Sequence, residues 1–303
     1  MPVPNFFHRR EAMSESVTIA VSRRAQCGEG PVWDPSTRTV LWVDIVGGEI
    51  LRTELDDELH PLATHALEFP FMVGAVSPRA GGGIVAAVAS GFVGLDENGT
   101  QTRRVDCLPA GVRMNDAKVD PAGRYWSGSC AYDFSSGAGG LWLLDEHWDA
   151  TLVLPGLTQP NGLGWSPDGR SFYLVETQAR RVLAFGFDPD RSRLTSSPKV
   201  LVEADAFTGL PDGLAVDARG HLWVAEYSGS AVHEFAPDGA RVQTIALPTP
   251  QPTSCAFIGP RLDHLWVTSA AADLDEENHP DAGSIFLVTS PGTTGLAVPA
   301  FGG

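Results

Sequence analysis

Short apolar runs separated by polar turns extend along most of the chain. The runs are roughly five to eight residues long and end at Gly, Pro, Asp or Asn, while the apolar spacing of amphipathic helices is almost absent. Runs of this length between turn-forming residues are typical of β-strands. The pattern therefore predicts an all-β protein.

One unit of at least three strands recurs six times. Its second strands read VLWVDI, GIVAAVA, RYWSGS, SFYLVE, HLWVAE and HLWVTS, and they align on Trp42, Val85, Trp126, Tyr173, Trp223 and Trp266. The resulting period of about 40 to 50 residues is that of a four-stranded propeller blade. We therefore predict a six-bladed β-propeller that occupies residues 17–303 as one domain. A two-domain β-sandwich is the alternative, but it would not require six units in phase.

The two ends of the propeller have to meet, because a closed ring leaves no exposed sheet edge. The strand VTIAV, residues 17–21, is the best candidate to complete the last blade from the N-terminus. The preceding residues 1–16 carry charge but lack the apolar core of a signal peptide. We predict that they form a poorly ordered leader and that Met13 is an alternative start.

A ring of polar residues is predicted where the first strands of the six units begin. The six aligned positions hold Glu29, Val73, Asn115, Asn161, Asp212 and Ser254. Because equivalent positions in a propeller converge on the central channel, four oxygen-bearing side chains should meet there, those of Glu29, Asn115, Asn161 and Asp212. Such oxygen donors suit a divalent cation, so the sequence predicts a propeller with a central metal site.

Each of these residues taken alone is also typical of a turn, since Asp and Asn before Gly favour turns. Asp168 in SPDG resembles Asp212 in PDG locally, but Asp168 falls between strands and is predicted to be a turn residue. The shared position in the repeat is what separates the predicted ligands from ordinary turn residues.

The composition of the chain limits the classes of partner that we expect it to bind. The formal net charge of -16 disfavours nucleic acid, because binding to phosphates depends on Lys and Arg. No apolar run approaches the roughly 20 residues of a membrane-spanning helix. The four cysteines lie far apart, which favours reduced thiols in a cytoplasmic protein over disulfides or a zinc framework. A small molecule is the expected partner, and no obligate protein partner is evident.

Several segments together resemble the regucalcin/gluconolactonase family of six-bladed, metal-binding propellers, also called the senescence-marker-protein or luciferin-regenerating-enzyme-like family. The resemblance runs from about Glu29 to Gly303 and is carried by GEGPVWD, LWVDI, RMNDAKVDPAGRYWSGS, QPNGLGWSPDG, PDGLAVDARGHLWVAE and PTSCAFIGPRLDHLWVTSA. It implies hydrolysis of a sugar (aldono-) lactone to the sugar acid. The family often has GTM at Gly128–Cys130 and Asp at Glu176, and many members have an apolar-aromatic pair at Glu226 and Tyr227. We expect both glutamates near the channel rim.

The resemblance also assigns roles to individual residues. Glu29, Asn161 and Asp212 match metal ligands, and Arg113 matches a substrate-positioning arginine. Asn115 matches a polar residue beside the metal that contacts the substrate or metal-bound water. One divalent ion is implied, with Ca²⁺ as the first expectation and Zn²⁺, Mn²⁺, Mg²⁺ or Fe²⁺ as alternatives.

Asp212 is our candidate general base. A carboxylate bound to a cation is a poor base, so either one oxygen of Asp212 is free or a metal-bound hydroxide acts directly. Two other functions remain open on the same ring: phosphotriester hydrolysis, and a non-enzymatic calcium-binding propeller.

Overall fold

A computed structural model describes residues 16–303, which form six antiparallel sheets. The predicted leader lies outside the described residues apart from Ser16, which already belongs to a strand. The first strand of each sheet contacts the first strands of the two neighbouring sheets, and the last sheet returns to the first. The sheets are therefore the six blades of a closed β-propeller, which confirms the predicted architecture.

In five blades the strands follow chain order from the channel outward, and the last blade takes its outer strand from the N-terminus. The innermost strands are β2 (Gly28–Asp34), β6 (Val73–Pro78), β10 (Val112–Val119), β14 (Pro160–Trp165), β19 (Leu210–Val216) and β23 (Pro252–Ile258). The second strands are β3 (Thr39–Asp44), β7 (Ile84–Val88), β11 (Tyr125–Ala131), β15 (Ser171–Glu176), β20 (Leu222–Tyr227) and β24 (His264–Ser269). The third strands are β4 (Glu49–Leu55), β8 (Gly91–Leu95), β12 (Gly139–Leu144), β16 (Arg181–Asp188), β21 (Ala231–Phe235) and β25 (Ile285–Thr289).

The outer strands complete the blades. They are β5 (Pro61–Glu68), β9 (Gln101–Asp106), β13 (Ala150–Leu157), β18 (Lys199–Val202), β22 (Arg241–Ala246) and, for the last blade, the N-terminal β1 (Ser16–Val21). Strand β1 contains the segment 17–21 expected to close the ring, and it pairs antiparallel with β25. The short β17 (Arg193–Leu194) adds a further strand to the fourth blade.

Six apolar clusters hold the blades together, one between each pair of neighbours. The aligned tryptophans of four second strands are fully buried in them, at Trp42, Trp126, Trp223 and Trp266. Burial of so large a side chain contributes on the order of 2 to 3 kcal/mol. The tryptophan repeat therefore marks blade packing, as expected, and leaves the channel to the polar positions of the first strands.

Glycines in the first strands allow neighbouring blades to approach closely at the channel. A Cβ atom on Gly213 would lie 2.0 Å from Ser254 Oγ, and one on Gly162 would lie 2.4 Å from the Leu214 amide nitrogen. Real Cβ atoms do not approach other atoms so closely, so these positions accept glycine only. The width of the channel is thus set by contact between backbones.

Candidate metal and substrate site

The site begins with an irregularity shared by all six first strands. The pairing register between first and second strands shifts at the ring position of every blade. Such β-bulges redirect side chains and are frequent beside functional sites. The prediction that the ring residue begins each first strand is exact only for β6. It is off by one residue for β2 and β14 and by two or three for β10, β19 and β23, because strand pairing continues on the far side of the bulge.

The four predicted donors are all buried at the channel, on β2, β10, β14 and β19. Asn161 and Asp212 are in direct contact, since Asn161 Nδ2 donates to Asp212 Oδ1. The same amide nitrogen lies 3.2 Å from Thr177 Oγ1, and the Thr177 hydroxyl donates to the Pro211 carbonyl at 2.9 Å. These bonds fix the fourth blade to the fifth directly beside the two predicted ligands.

Glu29 faces the same space from the first blade. Its Oε2 accepts a hydrogen bond of 2.8 Å from the Gly30 amide, whose backbone φ of 52° suits glycine. Burial raises the pKa of Glu29 well above its usual range, and the charges of Asp212 and Asp116 raise it further. The structure thus brings Asp212 close enough to Glu29 to disfavour ionisation of Glu29.

Asn115 and Arg113 form one hydrogen-bonded unit on β10. Arg113 Nη1 donates to Asn115 Oδ1 at 2.8 Å and to the Met114 carbonyl at 3.0 Å, while Asn115 Nδ2 donates to the Pro160 carbonyl at 3.1 Å. The Arg113 charge also lowers the pKa values of Glu29 and Asp212 against the effect of burial. Arg113 therefore faces the channel, together with the residue two positions after it.

Asp116 belongs to the site but escapes the repeat alignment. It is 4% exposed, and its charge is the second cause, after burial, that raises the pKa of Asp212. Four other blades carry glycine at this position, namely Gly30, Gly74, Gly162 and Gly213. An acid in a glycine position beside the bulge is the signal that could have identified it.

The donors present suit a hard divalent cation. Asn161 Oδ1 is buried and has no hydrogen-bond partner among the described residues, so a carbonyl oxygen is left without compensation. Two carboxylates beside it have pKa values raised by burial and by nearby acids. A cation among these oxygens would satisfy the orphaned carbonyl and offset the repulsion. Asn115 Oδ1, by contrast, already accepts a hydrogen bond from Arg113.

Glu176 and Glu226 support the loops that lead to the predicted ligands. Glu176 accepts hydrogen bonds from the amides of Thr158 and Gln159, shortly before Asn161. Glu226 accepts from the Gly209 amide and the Thr208 hydroxyl, shortly before Asp212. Both carboxylates are buried, and the second oxygen of Glu226, Oε2, pairs with His233 Nε2 at 2.5 Å.

Asp217, His221 and Glu234 form a second group of possible ligands, away from the channel. The Arg219 guanidinium already bridges this group, with Nη2 3.0 Å from Asp217 Oδ2 and 2.7 Å from Glu234 Oε1. Asp168 is exposed and accepts hydrogen bonds from Ser166 and Arg170 of its own turn. The channel is therefore the better candidate for a metal site.

A model of the SMP-30/Gluconolactonase/LRE-like region matches residues 27–271, a span that contains every candidate site residue. The chain belongs to the SMP-30/gluconolactonase/LRE-like family. Within residues 16–303 of this family member, no helix has the length and apolar character needed to cross a membrane.

Relatives of this SMP-30/gluconolactonase/LRE-like protein include a pentonolactonase and regucalcins. Pentonolactonase XacC of Haloferax volcanii is 34% identical over 86% of this chain and 87% of its own, and regucalcin of Xenopus laevis is 33% identical over 96% and 99%. The crystal structure of a calcium-binding regucalcin from Agrobacterium tumefaciens superposes with a TM-score of 0.87 at 28% identity, covering 93% of this chain and 96% of that one.

Proposed function

We propose that the protein hydrolyses a sugar lactone to the sugar acid with one divalent cation bound in the channel by Glu29, Asn161 and Asp212. The observation that carries this proposal is the buried, unpartnered Asn161 Oδ1 beside two carboxylates. Family membership and the similarity to a pentonolactonase support the reaction class. The similarity to calcium-binding regucalcin supports Ca²⁺ as the first ion to test.

A divalent cation bound here would polarise the lactone carbonyl and lower the pKa of a bound water. Arg113 is placed to orient the substrate. Its Nη1 is held by Asn115 and Met114, while its remaining N–H groups have no hydrogen-bond partner among residues 16–303 and can donate to a ring oxygen or hydroxyl. The Asn115 amide is fixed from both sides and keeps Arg113 in that position.

Asp212 is the group we assign to accept the proton from the attacking water. Its Oδ1 accepts the hydrogen bond from Asn161, and we assign proton transfer to Oδ2. Burial and the charge of Asp116 raise the pKa of Asp212, whereas Asn161, Arg113 and Glu29 lower it; the net upward shift makes this carboxylate a better proton acceptor. The excess negative charge of the whole chain favours departure of the anionic sugar acid.

The test is a panel of five- and six-membered aldonolactones assayed after chelation and after reconstitution with each candidate ion. We expect turnover only with metal, and loss of turnover in Asp212→Asn. Asp168→Asn is the matched control, because Asp168 also precedes Gly but lies in an exposed turn. Full activity in the chelated protein, or wild-type turnover in Asp212→Asn, contradicts the proposal.

A non-enzymatic calcium-binding role is the second candidate, favoured by the calcium-binding regucalcin of similar structure. It predicts cation binding that depends on Glu29, Asn161 and Asp212 but no turnover on any lactone in the panel. A phosphotriester included in the same assays tests the remaining hydrolase activity expected of such a metal site.

A further inference from the structure

A second cavity lies at the opposite end of the channel from the candidate metal site. We call it the far-end cavity; its volume is about 430 Å³ and its walls include Val32, Trp33, Trp165, Val216, Phe257 and Leu296. On five of the six first strands the wall residues follow the ring residue by two to four positions, which places the cavity roughly 10 Å further along the channel. Its size is that of a small-molecule site, and its walls are mostly apolar.

The far-end cavity is covered by the C-terminal segment 295–301, which we call the C-terminal strap. One end is held by a 2.7 Å hydrogen bond from the Gly295 amide to the Leu262 carbonyl, and the other by a 2.8 Å bond from the Phe301 amide to the Pro78 carbonyl. Phe301 is fully buried between blades, whereas Val298 in the middle of the strap is 37% exposed. Residues 296–300 form no backbone hydrogen bond to other described residues. The strap is thus anchored at both ends and free of backbone pairing between them.

One charged side chain lines this cavity. Lys118, on β10, is one of only two lysines in the chain. Its Nζ donates to the Leu214 carbonyl at 2.6 Å and makes no ion pair among the described residues, although an ammonium group offers three donors. The Lys118 ammonium therefore has donors left for an acceptor that a ligand supplies.

We propose that the far-end cavity binds a small monocarboxylate with an apolar body, whose carboxylate accepts hydrogen bonds from Lys118. The apolar body packs against Trp33, Trp165 and Phe257. Burial lowers the pKa of Lys118, whereas the nearby Asp116, Cys255 and Glu29 raise it. Because acidic groups already lie near the lysine, a singly charged head group fits better than a phosphate. The ligand class differs from a sugar lactone, whose many hydroxyls would find no partners in apolar walls.

Isothermal titration calorimetry with octanoate tests the proposal, with octanol and octylamine as probes of the head group. Octanoate should bind the wild-type protein, and Lys118→Met should weaken it by at least about tenfold, the effect of one charge-assisted hydrogen bond. Octanol binding should change little in the same variant, and octylamine should bind less tightly than octanoate. Lys199→Met is the matched control, since Lys199 lies exposed on the outer strand β18.

A second variant keeps the test decisive if Lys118→Met does not fold. Ala256 is a half-exposed wall residue on β23, so Ala256→Leu should fill part of the cavity and abolish octanoate binding. All titrations are run with chelated and with metal-loaded protein. The proposal is overturned if octanoate does not bind, if it binds both variants as well as wild type, or if binding requires metal and is unchanged by Ala256→Leu.

Discussion

Replacing Asp212 with Asn should have opposite effects on stability with and without metal. In the metal-free protein Asp212 and Glu29 are buried acids whose pKa values are raised by burial first and then by neighbouring carboxylates, including Asp116. Asp212→Asn removes one of these charges and keeps an oxygen that can accept the hydrogen bond from Asn161. We therefore expect the metal-free variant to be more stable than the metal-free wild type near neutral pH and above.

The magnitude follows from proton linkage. Because the folded-state pKa lies above the unfolded-state value, the folded protein retains a proton that the unfolded chain has lost, and stability falls as pH rises through this window. Each retained proton costs about 1.4 kcal/mol for every pH unit by which the pH exceeds the unfolded-state pKa while the folded protein keeps the proton. At roughly 2 °C per kcal/mol, the wild-type melting temperature should fall by about 3 °C per pH unit within this window, and by clearly less in Asp212→Asn.

Metal binding should reverse the stability order of the wild type and Asp212→Asn. A cation at about 100 times its dissociation constant stabilises the wild type by about 2.7 kcal/mol, whereas the variant has lost one of its ligands and gains less. Differential scanning fluorimetry over a pH series, with chelator or with Ca²⁺, measures both effects, and Asp168→Asn serves as the unaffected control. If Asp212→Asn melts below the wild type under every condition, the assignment of Asp212 to a strained, metal-binding carboxylate pair is wrong.

Three further outcomes are expected. Arg113→Lys should raise KM for the lactone at least about tenfold, because a lysine cannot replace the forked donors of the guanidinium, while calorimetric metal affinity stays within about threefold. Burial opposes ionisation of Glu226, but hydrogen bonds from His233, Gly209 and Thr208 bring its pKa down to about 2. The resulting stabilisation is fully present above the unfolded-state pKa of about 4.5 and is lost progressively as the pH falls to about 2, so Glu226→Gln should lack this part of the acid-induced loss of stability in unfolding measurements over this pH range. Gly213→Ala should lower stability by about 1 to 3 kcal/mol in urea unfolding, whereas Gly81→Ala, with open space around it, should not.

The architecture was predictable because its strongest signal lies in the most buried strands. The second strands carry a large aromatic or aliphatic residue at one repeat position, and these residues are the ones that fill the spaces between blades. Outer strands give little such signal. Strand β9, with the sequence QTRRVD, is almost wholly exposed and had no candidate in the sequence, because a strand without a buried face has no apolar pattern to recognise.

The site was only partly predictable, since alignment yields one residue per blade while a β-bulge turns more than one toward the channel. Asp116 was therefore missed beside Asn115. The sequence also treats Asn115 and Asn161 alike, but their amide oxygens differ: one is bonded to Arg113 and the other has no partner. The expected rim position of Glu176 and Glu226 could not anticipate their bonds to loop amides, which depend on backbone paths that a pattern does not contain.

The pairing of β1 with β25 joins the N-terminal strand to the last blade and so closes the ring of blades. Residues 22–27 lead directly from β1 to Glu29 in the first blade, while Asp212 lies in the fifth blade, on the other side of the last blade. A metal ion held by these two residues, as proposed above, would therefore link the blades on either side of the one that β1 completes. Detachment of β1 from β25 should release the ion while the other blades are still folded. The loss of bound metal would then report the opening of the ring before any change in total β-structure.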